Sequence, residues 1–93
     1  MKLSSAGLLV LKVCLERSSG LYGYELMQTT GLASGTLYPL LMRFEDKGWL
    51  SSRWESAEPT KTGRPRRRIY HITASGAAVA REELVRFGSV VPA

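Results

Sequence analysis

Leu37, Leu40, Leu41 and Phe44 recur at i, i+3, i+4 and i+7, a spacing that an α-helix gathers onto one face. Lys47 sits in the last turn, where a cation meets the negative helix end, and Gly48 supplies the left-handed residue that ends many helices. The pattern predicts a helix over about 34–47. Ser34 is an N-cap candidate, and Gly35 or Thr36 can also open the helix. Pro39 forfeits a backbone hydrogen bond if the helix opens at Ser34 and none if Thr36 is the cap; both starts stay open. The outward face carries Gly35, Pro39, Met42, Arg43 and Asp46, with Thr36 and Tyr38 near its start.

The flanking segments follow from the same rules. From Ser5 to Arg17 the apolar residues Leu8, Leu9, Leu11, Val13 and Leu15 cover more than one face, which predicts a helix buried on two sides with Cys14 in the core. A second, short helix runs from Tyr22 or Gly23 to Thr29, with Leu26 and Met27 inward, and Thr30-Gly31 turns the chain toward the third helix. Tyr24 fits core or surface equally. Beyond Gly48, Trp49–Glu55 and Arg68–Thr73 read as two strands. Leu50 and Trp54 share one face of the first, and Tyr70 and Ile72 share one face of the second. Thr73 then caps a last helix, in which Ala77, Ala80, Leu84, Phe87 and Val91 are spaced 3, 4, 3, 4, a short coiled-coil-like seam. Three helices and a hairpin already fill the core of a 93-residue chain. The extra stripe is therefore assigned to a second protomer, the other outcome being packing back on its own domain.

Charge separates one segment from the rest. Of 13 Lys and Arg residues, Lys61, Arg64, Arg66, Arg67 and Arg68 fall between the two strands or at their edge, and the remaining basic residues balance the 8 acidic ones. Gly63 and Pro65 make this stretch a loop rather than a helix face. A basic loop at the tip of a hairpin, placed after two helices joined by a short turn, is the arrangement of a wing beside a helix-turn-helix. It predicts a polyanionic partner, double-stranded DNA. The fold class expected is mainly α with a two-stranded β-hairpin. A winged helix-turn-helix occupies 1–73 and a C-terminal dimerisation helix 74–93, the two forming one compact unit.

Other chemistries find no support. His71 is the single histidine and Cys14 the single cysteine, so no metal site and no nucleophile–base pair can be assembled. Glu82-Glu83 and Glu45-Asp46 are sequence neighbours, and neighbours on a helix point apart. No enzyme activity, metal or cofactor is expected. The apolar stretch Ala6–Leu15 is interrupted by Lys12 and is short of the roughly 20 residues of a membrane span. No small-residue cleavage site follows it. No membrane partner and a cytoplasmic, nucleoid-associated location are expected.

Tyr22-Gly23-Tyr24-Glu25-Leu26, then Gly35-Thr36-Leu37-Tyr38-Pro39-Leu40-Leu41, then Glu45, Gly48, Leu50 and Trp54-Glu55 stand in one order. Gly63-Arg64-Pro65-Arg66-Arg67, Tyr70, Ile72-Thr73 and Gly76 continue it. The ordered set resembles the PadR-like transcriptional regulators from about Leu8 to Leu84. The resemblance implies a winged helix-turn-helix repressor that binds an inverted repeat as a homodimer. It also implies a C-terminal helix that joins the protomers, here in a short form. It directs Thr36 and Tyr38 to bases or phosphates and Gly35 to a close approach of the DNA backbone. By position, Tyr22 opens the second helix with its hydroxyl available to a phosphate, Arg43 on the exposed helix face either contacts DNA or lies past the groove, and Ser34 is read first as the N-cap and second as a DNA contact. In the wing, Lys61, Arg64, Arg66 and Arg67 are the expected backbone contacts, with strand alternation turning one of Arg67 and Arg68 away. The dimer contact is expected at Ala77, Ala80, Leu84 and Phe87. Trp49 and Trp54 are read as packing residues, and no effector pocket is assigned; a small-molecule effector stays unknown. The competing reading is a winged protein-interaction module whose Arg64–Arg68 run meets an acidic partner. A self-complementary last helix and a palindromic site separate the two. RNA binding ranks last, because a two-stranded hairpin offers too small a platform for stacked bases.

Overall fold

A computed structural model describes residues 3–88. Helix α1 (Ser5–Glu16) opens at Ser4, whose Oγ accepts the Gly7 N–H at 3.0 Å. It buries Leu8, Val10, Leu11, Val13 and Cys14, and it packs against α2 (Gly23–Thr30), β3 (Arg68–Ile72) and α5 (Ala74–Gly88). This is the central, doubly covered helix its composition requires. Helix α2 ends at Gly31, where φ is +74°, a conformation that glycine adopts without a Cβ penalty. Helix α3 (Ser34–Asp46) follows after three residues.

The start of α3 resolves the alternatives left by its sequence. Ala33 is the N-cap, and its carbonyl accepts from Thr36 at 3.0 Å and Leu37 at 2.9 Å; no side chain caps the helix. Neither Ser34 nor Thr36 has the capping role. Pro39 therefore lies well inside α3 and withholds the amide that would bond to the Gly35 carbonyl. Leu37, Leu41 and Phe44 are buried as the spacing predicts, and Leu40 is half-buried.

The sheet has three antiparallel strands rather than two. A two-residue strand β1 (Leu21–Tyr22) pairs with β3, Leu21 opposite Tyr70 and Tyr22 opposite Ile69. Strand β2 (Leu50–Trp54) pairs with the other edge of β3, from Leu50 opposite Ile72 to Trp54 opposite Arg68. Two residues are too few to show alternation, so β1 leaves no trace in the sequence pattern. Tyr22 accordingly belongs to β1 and to the cap of α2. One turn of helix, α4 (Pro59–Thr62), forms the wing tip. Leu50 is buried, but Trp54 is exposed, because β2 has run past the core by that point; the Arg68 guanidinium lies 5.0 Å from its ring centroid. Trp49 does pack inside, tilted against Phe44 at 5.5 Å.

Thr73 caps α5 as expected, accepting the Gly76 N–H at 3.0 Å. The seam on α5 needs correction. Ala77 and Ala80 are buried within the protomer, where α5 lies on α1 and β3. Small residues allow two helices to approach closely, and the intrachain neighbour uses that face. Leu84 is half-buried and the adjacent Val85 is exposed. The side chain of Phe87, and Val91, lie outside the described residues.

Candidate nucleic-acid interface

The amino end of α3 presents Ser34, Gly35, Thr36 and Tyr38 to solvent. The space around Gly35 is open, with no atom within 4 Å of where a Cβ would stand, so another backbone can approach there. Tyr38 is 41% exposed. Its hydroxyl end lies over Gly23, at the start of α2, where any Cβ would overlap it. One tyrosine thus shows an edge to solvent while fixing how closely α2 and α3 meet. Arg43 is exposed farther along α3. It borders a second groove with Leu3, Leu40, Phe44, Lys47 and Trp49, away from the amino end where the sequence reading places most contacts.

Tyr38 shares a cleft of about 230 Å³ with Tyr22, Gly23, Tyr24, Arg67 and Arg68. The cleft brings together α2, α3, β1 and the root of the wing. Its wall is built by stacking: the Arg67 guanidinium carbon is 3.5 Å from the Tyr22 ring centroid. Arg68 is tied in by a second route, its Nε donating to Ser52 Oγ at 2.7 Å while Ser52 Oγ donates to Glu45 of α3 at 2.7 Å.

One residue that the sequence reading passed over organises the wing. Glu55, only 6% exposed, lies one residue beyond β2. Its carboxylate accepts hydrogen bonds from the Arg64 guanidinium, from the Arg67 amide at 3.0 Å and from the Tyr22 hydroxyl at 3.4 Å. A further ion pair reaches Arg67 Nη2 at 3.5 Å. The Glu55 amide donates to the Arg67 carbonyl at 2.8 Å, adding one rung to the β2–β3 ladder. The hydrogen bond from Arg64 holds the Glu55 carboxyl down to about 2, with the Arg67 amide and both cations acting in the same sense against burial. A clue existed in the sequence: an acid at the mouth of a loop with five cations is placed to pair with some of them.

The expected wing contacts therefore divide. Lys61 and Arg66 are exposed, whereas Arg64 and Arg67 are half-buried on Glu55. Local bonds shape the tip, with Gly63 at φ +73° donating to the Pro59 carbonyl at 2.9 Å.

The family model for the PadR-like transcriptional regulators matches residues 10–82. The chain belongs to the PadR-like family. Solved members share the fold. A PadR-like transcription factor from Bacteroides fragilis is 25% identical, with a TM-score of 0.72, over 91% of this chain and 84% of its own. A PadR family regulator from Eggerthella lenta is 29% identical, with a TM-score of 0.72, over 90% and 75% of the two chains. The PcaV regulator of Streptomyces coelicolor, solved with its natural ligand, is 23% identical with a TM-score of 0.78. It matches 94% of this chain and 57% of its own length and shows likeness of fold alone. Among curated proteins nothing matches the chain. PadR-like proteins are DNA-binding transcriptional regulators and in general are not enzymes. Among the described residues no cluster of His, Cys, Asp and Glu is arranged to hold a metal ion, and no helix is long and apolar enough to cross a membrane.

Proposed function

We propose that this PadR-like protein is a homodimeric repressor that binds an inverted repeat in double-stranded DNA. It acts in the cytoplasm, at the nucleoid. The amino end of α3 enters the major groove, with Ser34, Gly35 and Thr36 at the backbone or base edges and Tyr38 reading from the side of the cleft. Lys61 and Arg66 of the wing reach the flanking phosphates, and Arg43 follows the groove. The reading rests on one observation above others: Tyr38 of α3 and Arg67 and Arg68 at the wing root line the same cleft. The amino end of α3 and the root of the basic wing therefore meet on one side. Phosphate contacts position such a protein and base contacts specify its site. Leu84 and Phe87, together with the exposed Val85, form the contact between protomers, since Ala77 and Ala80 are used inside each chain.

Selection of binding sites from a random duplex library, at near-physiological salt, tests this. The expected product is an inverted repeat with half-site centres about 10 bp apart, one helical turn. Tyr38→Ala should weaken binding to the selected site more than to a scrambled duplex. Recovery of no enriched sequence refutes the reading, and equal losses on both duplexes remove Tyr38 from it.

A further inference from the structure

The wing is fastened to the rest of the protein at its root. The β2–β3 ladder ends with Trp54 opposite Arg68 and the single added rung between Glu55 and Arg67. Beyond it, local hydrogen bonds among Glu58, Pro59, Lys61, Thr62, Gly63 and Arg64 shape the tip. The Glu55 carboxylate spans what the ladder does not. It takes Arg64 and Arg67 from the returning arm and Tyr22 from β1, and the residue after Tyr22 begins α2. Arg66 lies between the two arginines so held and is itself exposed. A carboxylate this buried must be matched by donors, and here the donors come from both the helix-turn-helix and the wing.

We infer that Glu55 is a positioning residue for DNA binding, which fixes the wing to the helix-turn-helix and withholds Arg64 and Arg67 from the phosphates. The inference rests on the DNA-binding reading above. Two cations of the basic loop are neutralised in part within the fold, and Lys61 and Arg66 are presented at a set distance from α3. The gain is geometric. Unheld guanidinium groups attract any phosphate; a fixed wing meets the backbone correctly only when α3 is seated on its own site.

Glu55→Gln keeps the shape and removes the charge. Its affinity is measured for the selected inverted repeat and for a scrambled duplex, over a range of salt. Binding to the scrambled duplex should tighten, and the slope of log affinity against log salt should steepen by about 0.9 for each arginine released to a phosphate. The ratio of the two affinities should fall at least tenfold. Glu58→Gln is the control for charge: it removes an equal charge from an exposed wing residue and should leave the ratio unchanged. Tyr22→Phe keeps the ring under Arg67 and removes the hydroxyl bond to Glu55; it should lower the ratio in the same direction, whereas loss of a phosphate contact by that hydroxyl would weaken both duplexes equally. Hydrogen exchange of the Arg67 amide, which donates to Glu55, should quicken in Glu55→Gln while amides of α1 and α3 keep their protection. A folded Glu55→Gln protein with the wild-type ratio, or with an unchanged Arg67 amide, overturns the role of Glu55 and leaves the DNA reading intact. Should Glu55→Gln fail to fold, Tyr22→Phe decides: an unchanged ratio, or equal losses on both duplexes, overturns the inference. A wild-type protein that binds no duplex overturns both.

Discussion

Gly76→Ala sets two known effects against each other. Alanine is favoured over glycine inside a helix by about 1 kcal/mol, and Gly76 lies in the first turn of α5. A Cβ at this position, however, would overlap the Trp49 carbonyl oxygen and crowd Ile72. The obstacle is backbone, and that backbone is committed. The same Trp49 oxygen accepts the Thr73 amide at 3.0 Å, and the Thr73 hydroxyl donates to Gly48 at 2.6 Å while capping α5. Relieving the overlap means shifting this junction. Overpacking of this kind costs roughly 1–3 kcal/mol, and a weakened hydrogen bond and cap cost about 1 kcal/mol each. After subtraction of the helix gain, a net loss of roughly 2–4 kcal/mol is expected. At roughly 4–8 °C per kcal/mol for a domain of this size, the melting temperature should fall by about 10 °C or more, read by circular dichroism. Gly7→Ala is the matched comparison. Its Cβ would meet Phe44 Cζ at 3.1 Å and Ser4 Oγ at 3.2 Å, both side-chain atoms that can move a few tenths of an ångström. It should stay within about 1 kcal/mol of wild type. Gly76→Ala melting at or above wild type would refute the reasoning.

Two further outcomes follow from buried groups. Burial pushes the Cys14 thiol up to about 11, so a disulfide reagent at pH 8 should leave native protein unlabelled and react fully in denaturant; rapid native labelling would show that α1 is not the closed core helix described. Glu55 is held near 2 by Arg64, below the ~4.3 of an unfolded glutamate. Its contribution to stability is therefore complete above about pH 4.3 and is lost as pH falls from there through about 2. The difference in melting temperature between wild type and Glu55→Gln should shrink over that window, and a difference constant from pH 6 to 2 would contradict the pairing.

Much of the fold was legible because long elements repeat their rules. The spacing of Leu37, Leu41 and Phe44 gave α3, the all-round apolar pattern gave α1, and Thr73 marked the start of α5. The misses have physical reasons. Strand β1 is two residues long and exists because β3 offers it an edge, which is a tertiary fact. Ala33 caps α3 with its backbone alone, so the preference for side-chain caps pointed to the wrong residue. Ala77 and Ala80 make a seam, but spacing cannot say whose surface fills it; α1 of the same chain does. At the site, cations were legible as a group and their division was not. Periodicity describes one element at a time, whereas the partition of Arg64 and Arg67 from Lys61 and Arg66 depends on Glu55 arriving from the opposite arm.

The local bonding of α4 has a consequence for how such a regulator changes its target. Because the turn closes on itself through Pro59 and Gly63, residues between Glu58 and Gly63 can be exchanged or lengthened without unpicking the core. Lengthening a surface loop costs little, about 0.6 kcal/mol for each doubling. The tip is in effect an interchangeable part on a standard fitting. Evolution can retune reach and charge there in small steps while Tyr22, Glu55, Arg64 and Arg67 keep the fitting the same.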